Sequence, residues 1–121
     1  MWQKNVRFAR YKTLFFKSLV MWNQTNNGET IGTIGSESGE VIKDMEHSKG
    51  ARLTLEKGGD IAPYSITSGV YGYFFHTTYL STLEEGIREL ESMKAEISEF
   101  FDTKTTSDEE HDWIREFVGR H

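Results

Sequence analysis

Four histidines, His47, His76, His111 and His121, are the side chains of this 121-residue chain best suited to acid–base or metal chemistry near neutral pH. No two stand four apart, the spacing that sets two ligands on one helical face, and the chain has no cysteine to supply a thiolate ligand or nucleophile. No metal site, cofactor or catalytic residue is therefore predicted. His111 lies between Glu110 and Asp112 and reads as a surface residue; His121 is the last residue given. Only His47 and His76 merit thought, and each reads most simply as a hydrogen-bonded structural histidine; His76 is the one carried into a candidate site.

What His76 can do depends on its neighbours. Alternation along extended chain puts Arg52, Thr54 and Glu56 on one side of a strand, and Ser65 and Thr67 on one side of the next. In the segment after that, Gly72, Phe74, His76 and Thr78 form one set and Tyr71, Tyr73, Phe75 and Tyr79 the other. If the first set joins Arg52 and Glu56, an acid and a base flank His76, an arrangement for catalysis or anion binding. If the tyrosine set joins them, the face becomes an aromatic platform for a flat ligand or a partner. The candidate ligand-binding residues are accordingly Arg52, Glu56, Thr67, Tyr73 and His76.

Other chemistry-bearing patterns carry less. Gly32 through Gly39 lacks the lysine and spacing of a phosphate-cradling loop, and Glu37 and Glu40 would repel a phosphate. No Gly-x-Ser-x-Gly elbow is present. The adjacent acids Glu84-Glu85 and Glu109-Glu110 point in different directions on a helix and read as capping and solubility residues.

The elements that must position these residues follow from period and punctuation. Over residues 5–22, Phe8, Tyr11, Phe15, Leu19 and Trp22 recur at helical steps, so a helix is predicted, with a strand hairpin as the alternative. Residues 23–39 are polar and glycine-rich and predict a long loop with room for one short strand. From 40 to 80 the period becomes two, with turn signals at 48–50, 58–60 and 69–72. Four antiparallel strands are expected, at about 40–47, 51–57, 62–68 and 71–80. Leu53, Leu55, Tyr64 and Ile66 are expected beneath helices. A helix over 82–101 is capped by Thr82 with Glu85 and buries Leu83, Ile87, Leu90, Ile97, Phe100 and Phe101. A shorter helix follows, capped by Ser107 with Glu110, with Trp113, Ile114, Phe117 and Val118 on its apolar face. The fold class is thus α+β: one domain, residues 1–121, a four-stranded antiparallel sheet with an N-terminal helix and two C-terminal helices on one face.

Composition narrows the function classes. The longest apolar run, Leu19 to Trp22, is far short of a bilayer span, no signal peptide is read, and the absence of cysteine fits a reducing compartment, so a cytoplasmic location is expected. Net charge runs from +5 over residues 1–28 through −3 over 29–80 to −7 over 81–121. The basic aromatic head is expected to pack on the protein itself or on a second copy. The acidic body argues against nucleic-acid and membrane partners.

The stretch from Glu46 to Thr82, with Ala-Arg-Leu-Thr-Leu-Glu-Lys-Gly-Gly, Ala-Pro-Tyr-Ser-Ile-Thr-Ser-Gly-Val-Tyr-Gly and Phe-Phe-His-Thr-Thr-Tyr-Leu-Ser-Thr, resembles small uncharacterised bacterial proteins of the mobile gene-cassette and accessory-locus type. The resemblance implies a bacterial origin and no site. The reading of the whole is a non-enzymatic binding or interaction protein, homo-oligomeric, holding a small molecule or a protein partner. The alternatives are a small enzyme with a pocket around His76, and an acidic, immunity-like protein that neutralises a basic partner.

Overall fold

The alternation seen over residues 40–80 becomes a meander in the computed structural model, which describes residues 21–103 and 105–121. The strands are β1 (Trp22–Gln24), β2 (Glu40–His47), β3 (Ala51–Lys57), β4 (Tyr64–Val70) and β5 (Phe74–Leu80). They pair antiparallel in chain order, so the sheet has five strands rather than the expected four. The fifth, β1, joins Trp22, the last residue of the stretch read as a helix, to Asn23 and Gln24 of the expected loop; residues 5–20 of that stretch lie outside the described residues. Two helices follow, α1 (Leu83–Asp102) and α2 (Ser107–Arg120).

Register decides which side chains share a face. In β3, β4 and β5, Thr54, Thr67 and Thr77 stand in one row, and Arg52, Gly69 and Phe75 in another. The opposite face carries Leu53, Leu55, Ile66 and Val70, all fully buried, and α1 packs on it through Leu90, Met93, Ile97 and Phe100. α2 adds Phe117, fully buried against Phe74. In β2 the register shifts between Val41 and Lys43, so Val41 and Asp44 both lie buried on the face away from the helices.

The first turn of α1 is held as expected: Glu85 N–H donates to Thr82 Oγ1 at 3.2 Å, and Glu85 Oε2 accepts from Ser81 N–H. α2 is capped one residue earlier than expected, by Thr106 accepting from Glu109 N–H. Leu83 and Ile87 are not in the core, at 44% and 37% exposed. Gly86 faces the sheet instead, where a Cβ would stand 3.1 Å from Leu55. The buried stripe therefore runs through Gly86, Leu90, Met93, Ile97 and Phe100, and the two apolar residues of the first turns fall beside it. Val118 of α2 is likewise at the surface.

The residues expected to form a loop fold back over the second face of the sheet. Asn26, Asn27 and Gly28 take left-handed backbone, which asparagine and glycine adopt at the least cost, and turn the chain after β1. Residues 29–39 then run across the sheet, held by Gly32 N–H to Val41 O and Val41 N–H to Thr33 O, each 2.8 Å. The molecule has three layers in consequence: helices, sheet and loop.

Candidate functional site

Between the loop and the sheet lies a cavity of about 320 Å³. The loop contributes Thr33, Ile34, Gly35 and Ser36; the sheet contributes Arg52, Thr54, Thr67, Gly69 and Phe75. A larger hollow of about 670 Å³ runs along the outside of α1 past Leu83, Ile87 and Ala95, but all of its described lining comes from that one helix. Converging polar groups from separate elements mark a ligand site more specifically than volume does, so the smaller cavity is the candidate.

Its floor is fixed by an ion pair. Asp44 is buried in β2, and Arg52 of β3 donates to it twice, Nε to Oδ1 at 3.0 Å and Nη2 to Oδ2 at 2.6 Å. Thr25 and Thr54 hydroxyls also donate to Oδ1, at 3.0 and 3.1 Å. Burial pushes the Asp44 carboxyl upward, but the hydrogen bonds and charge of Arg52 with the neighbouring threonines outweigh it and hold the group below the ordinary aspartate value. The bond to Asp44 in turn raises Arg52. Arg52 also lines the cavity, and Nη1 takes no part in the Asp44 fork.

Behind the lining lies Glu56, fully buried in β3. Its Oε1 accepts Glu37 N–H and Gly39 N–H, each at 3.1 Å, so the carboxylate anchors the loop. Gly35 passes so close that a Cβ there would collide with the Glu56 carboxylate. Ser36 and Thr67 hydroxyls meet across the gap at 3.4 Å, and Tyr79 donates its hydroxyl to Glu37 Oε1 at 2.6 Å, which raises the Tyr79 pKa. The open side is apolar: Ile34 is 73% and Phe75 74% exposed. The Phe75 ring leans across Gly69, where an added Cβ would stand 2.6 Å from it.

Of the five residues singled out in the sequence, Arg52 and Thr67 line this cavity and Glu56 supports it. The other two lie elsewhere. His76 is opposite Ser68 on the helix-side face, half-buried, so the tyrosine-bearing set is the one that joins Arg52 and Glu56, through Phe75 and Tyr79. Tyr73 sits in the β4–β5 turn, edge-on to Phe100 at 5.2 Å, with its hydroxyl 3.5 Å from Glu110. His47 packs between Trp22 and Phe101, accepts Lys49 N–H at Nδ1, and is lowered in pKa by burial. His121 is not a free tail: its ring nitrogens meet Glu89 and Glu96 of α1, and Thr78 donates to its carbonyl at 2.6 Å. Burial lowers its pKa, but the two carboxylates outweigh it and leave the group raised.

Asp44 and Ile34 were not legible as site residues. Among the described residues no group of three or more acidic or histidine side chains is arranged to hold a metal ion, and no helix is long and apolar enough to cross a membrane. Compared with known protein families, curated proteins and solved structures, the chain finds no match.

Proposed function

We propose that the chain is a non-enzymatic binding protein whose loop-covered sheet face holds a small, uncharged, hydroxyl- or amide-bearing molecule against Phe75. The observation that carries this is how the cavity's hydrogen-bonding groups are already committed. Thr54 gives its proton to Asp44, and Thr33 gives its own to Thr30 O at 2.6 Å. Each hydroxyl then has lone pairs left for a ligand's donors. Arg52 keeps donors for one ligand acceptor. Its charge is neutralised by Asp44, and with Glu56 and Glu37 close by an anion gains little. The exposed Phe75 ring suits the apolar face of a sugar or nucleoside ring.

The ionised groups next to the cavity support binding over catalysis. Asp44 and Glu56 are both taken up by donors of the fold, which leaves neither placed to move a ligand's proton. A reading centred on His76 has less support, since that residue lines neither hollow and faces the helices. An acidic surface for a basic partner also has less support: Glu96 is engaged by Arg120 and His121, Glu91 by Lys94, Asp112 by Arg115 and Asp102 by Lys49.

The test is an amide-shift titration of the protein with neutral monosaccharides, polyols and nucleosides beside small organic anions. Shifts at residues 33–36, 67 and 75 from a neutral ligand, weakened at least about tenfold in Phe75→Ala and in Thr67→Val, are expected. If only anions move those signals, or none does, the reading fails.

A further inference from the structure

β5 ends the sheet, and its open side differs from the opposite edge. β1 exposes only three residues, whereas β5 runs seven, Phe-Phe-His-Thr-Thr-Tyr-Leu, with no proline, lysine, arginine or carboxylate. Solitary sheet edges are ordinarily guarded by such residues, by brevity or by a bulge, because their unpaired main-chain groups template another strand.

The ladder fixes which groups are unpaired. At the two ends of β3–β4, Tyr71 N–H donates to Gly50 O and Gly58 N–H to Pro63 O. By alternation, Ser65, Thr67 and Gly69 bond β3, while Ile66, Ser68 and Val70 bond β5. Their partners Thr78, His76 and Phe74 therefore turn inward, and Phe75, Thr77 and Tyr79 present N–H and C=O to the open edge. No strand pairs with them among the described residues. The same residues place their side chains on the loop face, where Phe75 is 74% and Tyr79 44% exposed.

We propose that β5 pairs with β5 of a second copy, antiparallel about a two-fold axis at Thr77. Only this register engages all three outward residues of both copies: Thr77 opposes Thr77, and Phe75 of each opposes Tyr79 of the other. The strand carries no lysine, arginine or carboxylate, and the register sets His76 opposite Thr78, so self-pairing opposes no like charges. Phe75 forms the open wall of the sheet-face cavity. Tyr79 of the second copy then stands beside it, so each cavity mouth is completed by the other chain. On the helix side the register sets Thr78 of the second copy opposite His76, whose Nε2 is buried with no hydrogen-bond partner among the described residues.

The chain contains no cysteine, so a single introduced thiol reports the axis cleanly. In a hydrogen-bonded antiparallel pair the Cα atoms are about 5.5 Å apart, within disulfide reach. Sedimentation velocity of the ligand-free protein from about 5 to 200 µM is expected to show a reversible dimer. Thr77→Cys should become disulfide-linked under mild oxidation at least about tenfold faster than Ser48→Cys, in the exposed β2–β3 turn. Thr77→Lys should weaken the dimer about tenfold or more, and Thr77→Val should keep it. A monomer at every concentration overturns the proposal, as does Thr77→Cys that links no faster than Ser48→Cys. A dimer unchanged in Thr77→Lys overturns it too, since association would then use another surface. If Thr77→Lys loses its circular dichroism, the cysteine pair decides. Because no ligand is present, the outcome is independent of the ligand titration.

Discussion

Replacing Glu56 by alanine removes a buried side chain that ties two main-chain amides of the loop to the sheet. Two main-chain donors, Glu37 N–H and Gly39 N–H, lose their acceptor. A hydrogen bond to a charged group contributes about 1.5–3 kcal/mol, so the pair sets an upper range near 3–6 kcal/mol. Two effects reduce it: the alanine variant no longer buries a charge, and the loop can lift to let water reach the amides. The cost is then capped by releasing the remaining loop contacts, and a loss of about 2–4 kcal/mol in urea unfolding is expected, with sheet and helices intact. Glu56→Gln separates charge from shape. An amide oxygen at the Oε1 position still accepts both N–H groups, and the loss falls to about 1 kcal/mol. Hydrogen exchange localises the effect: Glu37 and Gly39 amides should lose protection in Glu56→Ala before those of β3 and β4. If Glu56→Ala lies within about 0.5 kcal/mol of wild type with those amides still protected, Glu56 does not hold the loop.

Stability should depend on pH through the cluster at the end of α2. His121 is raised, so its contribution is full below about 6.5, its ordinary value, and is lost as pH rises through the folded value; Glu96 is lowered, so its contribution is present above about 4.5 and is lost as pH falls. His47, lowered by burial, opposes His121 as pH falls below about 6.5, so thermal melts of the wild type and His121→Ala from pH 4 to 9 are compared, and His121→Ala should flatten the alkaline side of the profile. Asp44 is fully buried and Arg52 partly in water, so Arg52→Ala, which leaves the buried carboxylate without its cation, should cost about 3–5 kcal/mol by chemical denaturation, against a smaller loss for Asp44→Ala, whose stranded guanidinium can hydrate. A loss for Arg52→Ala no larger than that for Asp44→Ala would contradict the reading of Asp44 as a buried charge that Arg52 compensates.

The extent to which this architecture is written in the chain varies with the range of the interactions that set it. β2 and β3 fall where alternation and the turns at 48–50 and 58–60 predict, because both signals are local. β4 and β5 begin two to three residues later than expected. Pro63 and the Tyr71–Tyr73 turn take those residues, a matter of turn geometry rather than hydrophobic pattern. α1 was legible in its limits but not in its facing side. Periodicity counts Leu83 and Ile87 as core, while a glycine, invisible to any hydrophobic count, makes the closest approach to Leu55. Asp44 pairs in regular register with Thr54, two residues from Arg52, and nothing in its local pattern distinguishes it from Glu46, which stands directly opposite Arg52. The cavity was hidden for a different reason. Its roof is a segment whose only local signals are glycines and the Asn-Asn-Gly turn, and where it lands depends on Glu56. His121 looked like a tail because nothing in sequence marks Glu89 and Glu96 as its partners.

The meander also imposes an order of assembly. β2 to β5 are consecutive hairpins closed by short turns, contacts of low sequence separation that form early. The roof of the cavity cannot join them until β3 has set Glu56 in place, since its anchoring amides meet a side chain 17 to 19 residues further along the chain. β1 depends on α1 in turn: Trp22 Nε1 donates to Lys94 O and Ser98 Oγ, more than 70 positions away. The layer that forms the site thus closes only once β3 is in place, and lifting it breaks loop contacts while the β3–β4 and β4–β5 ladders beneath stay paired. Exchange of a bound molecule would then proceed at the rate of this local opening, well above the rate at which the whole domain unfolds.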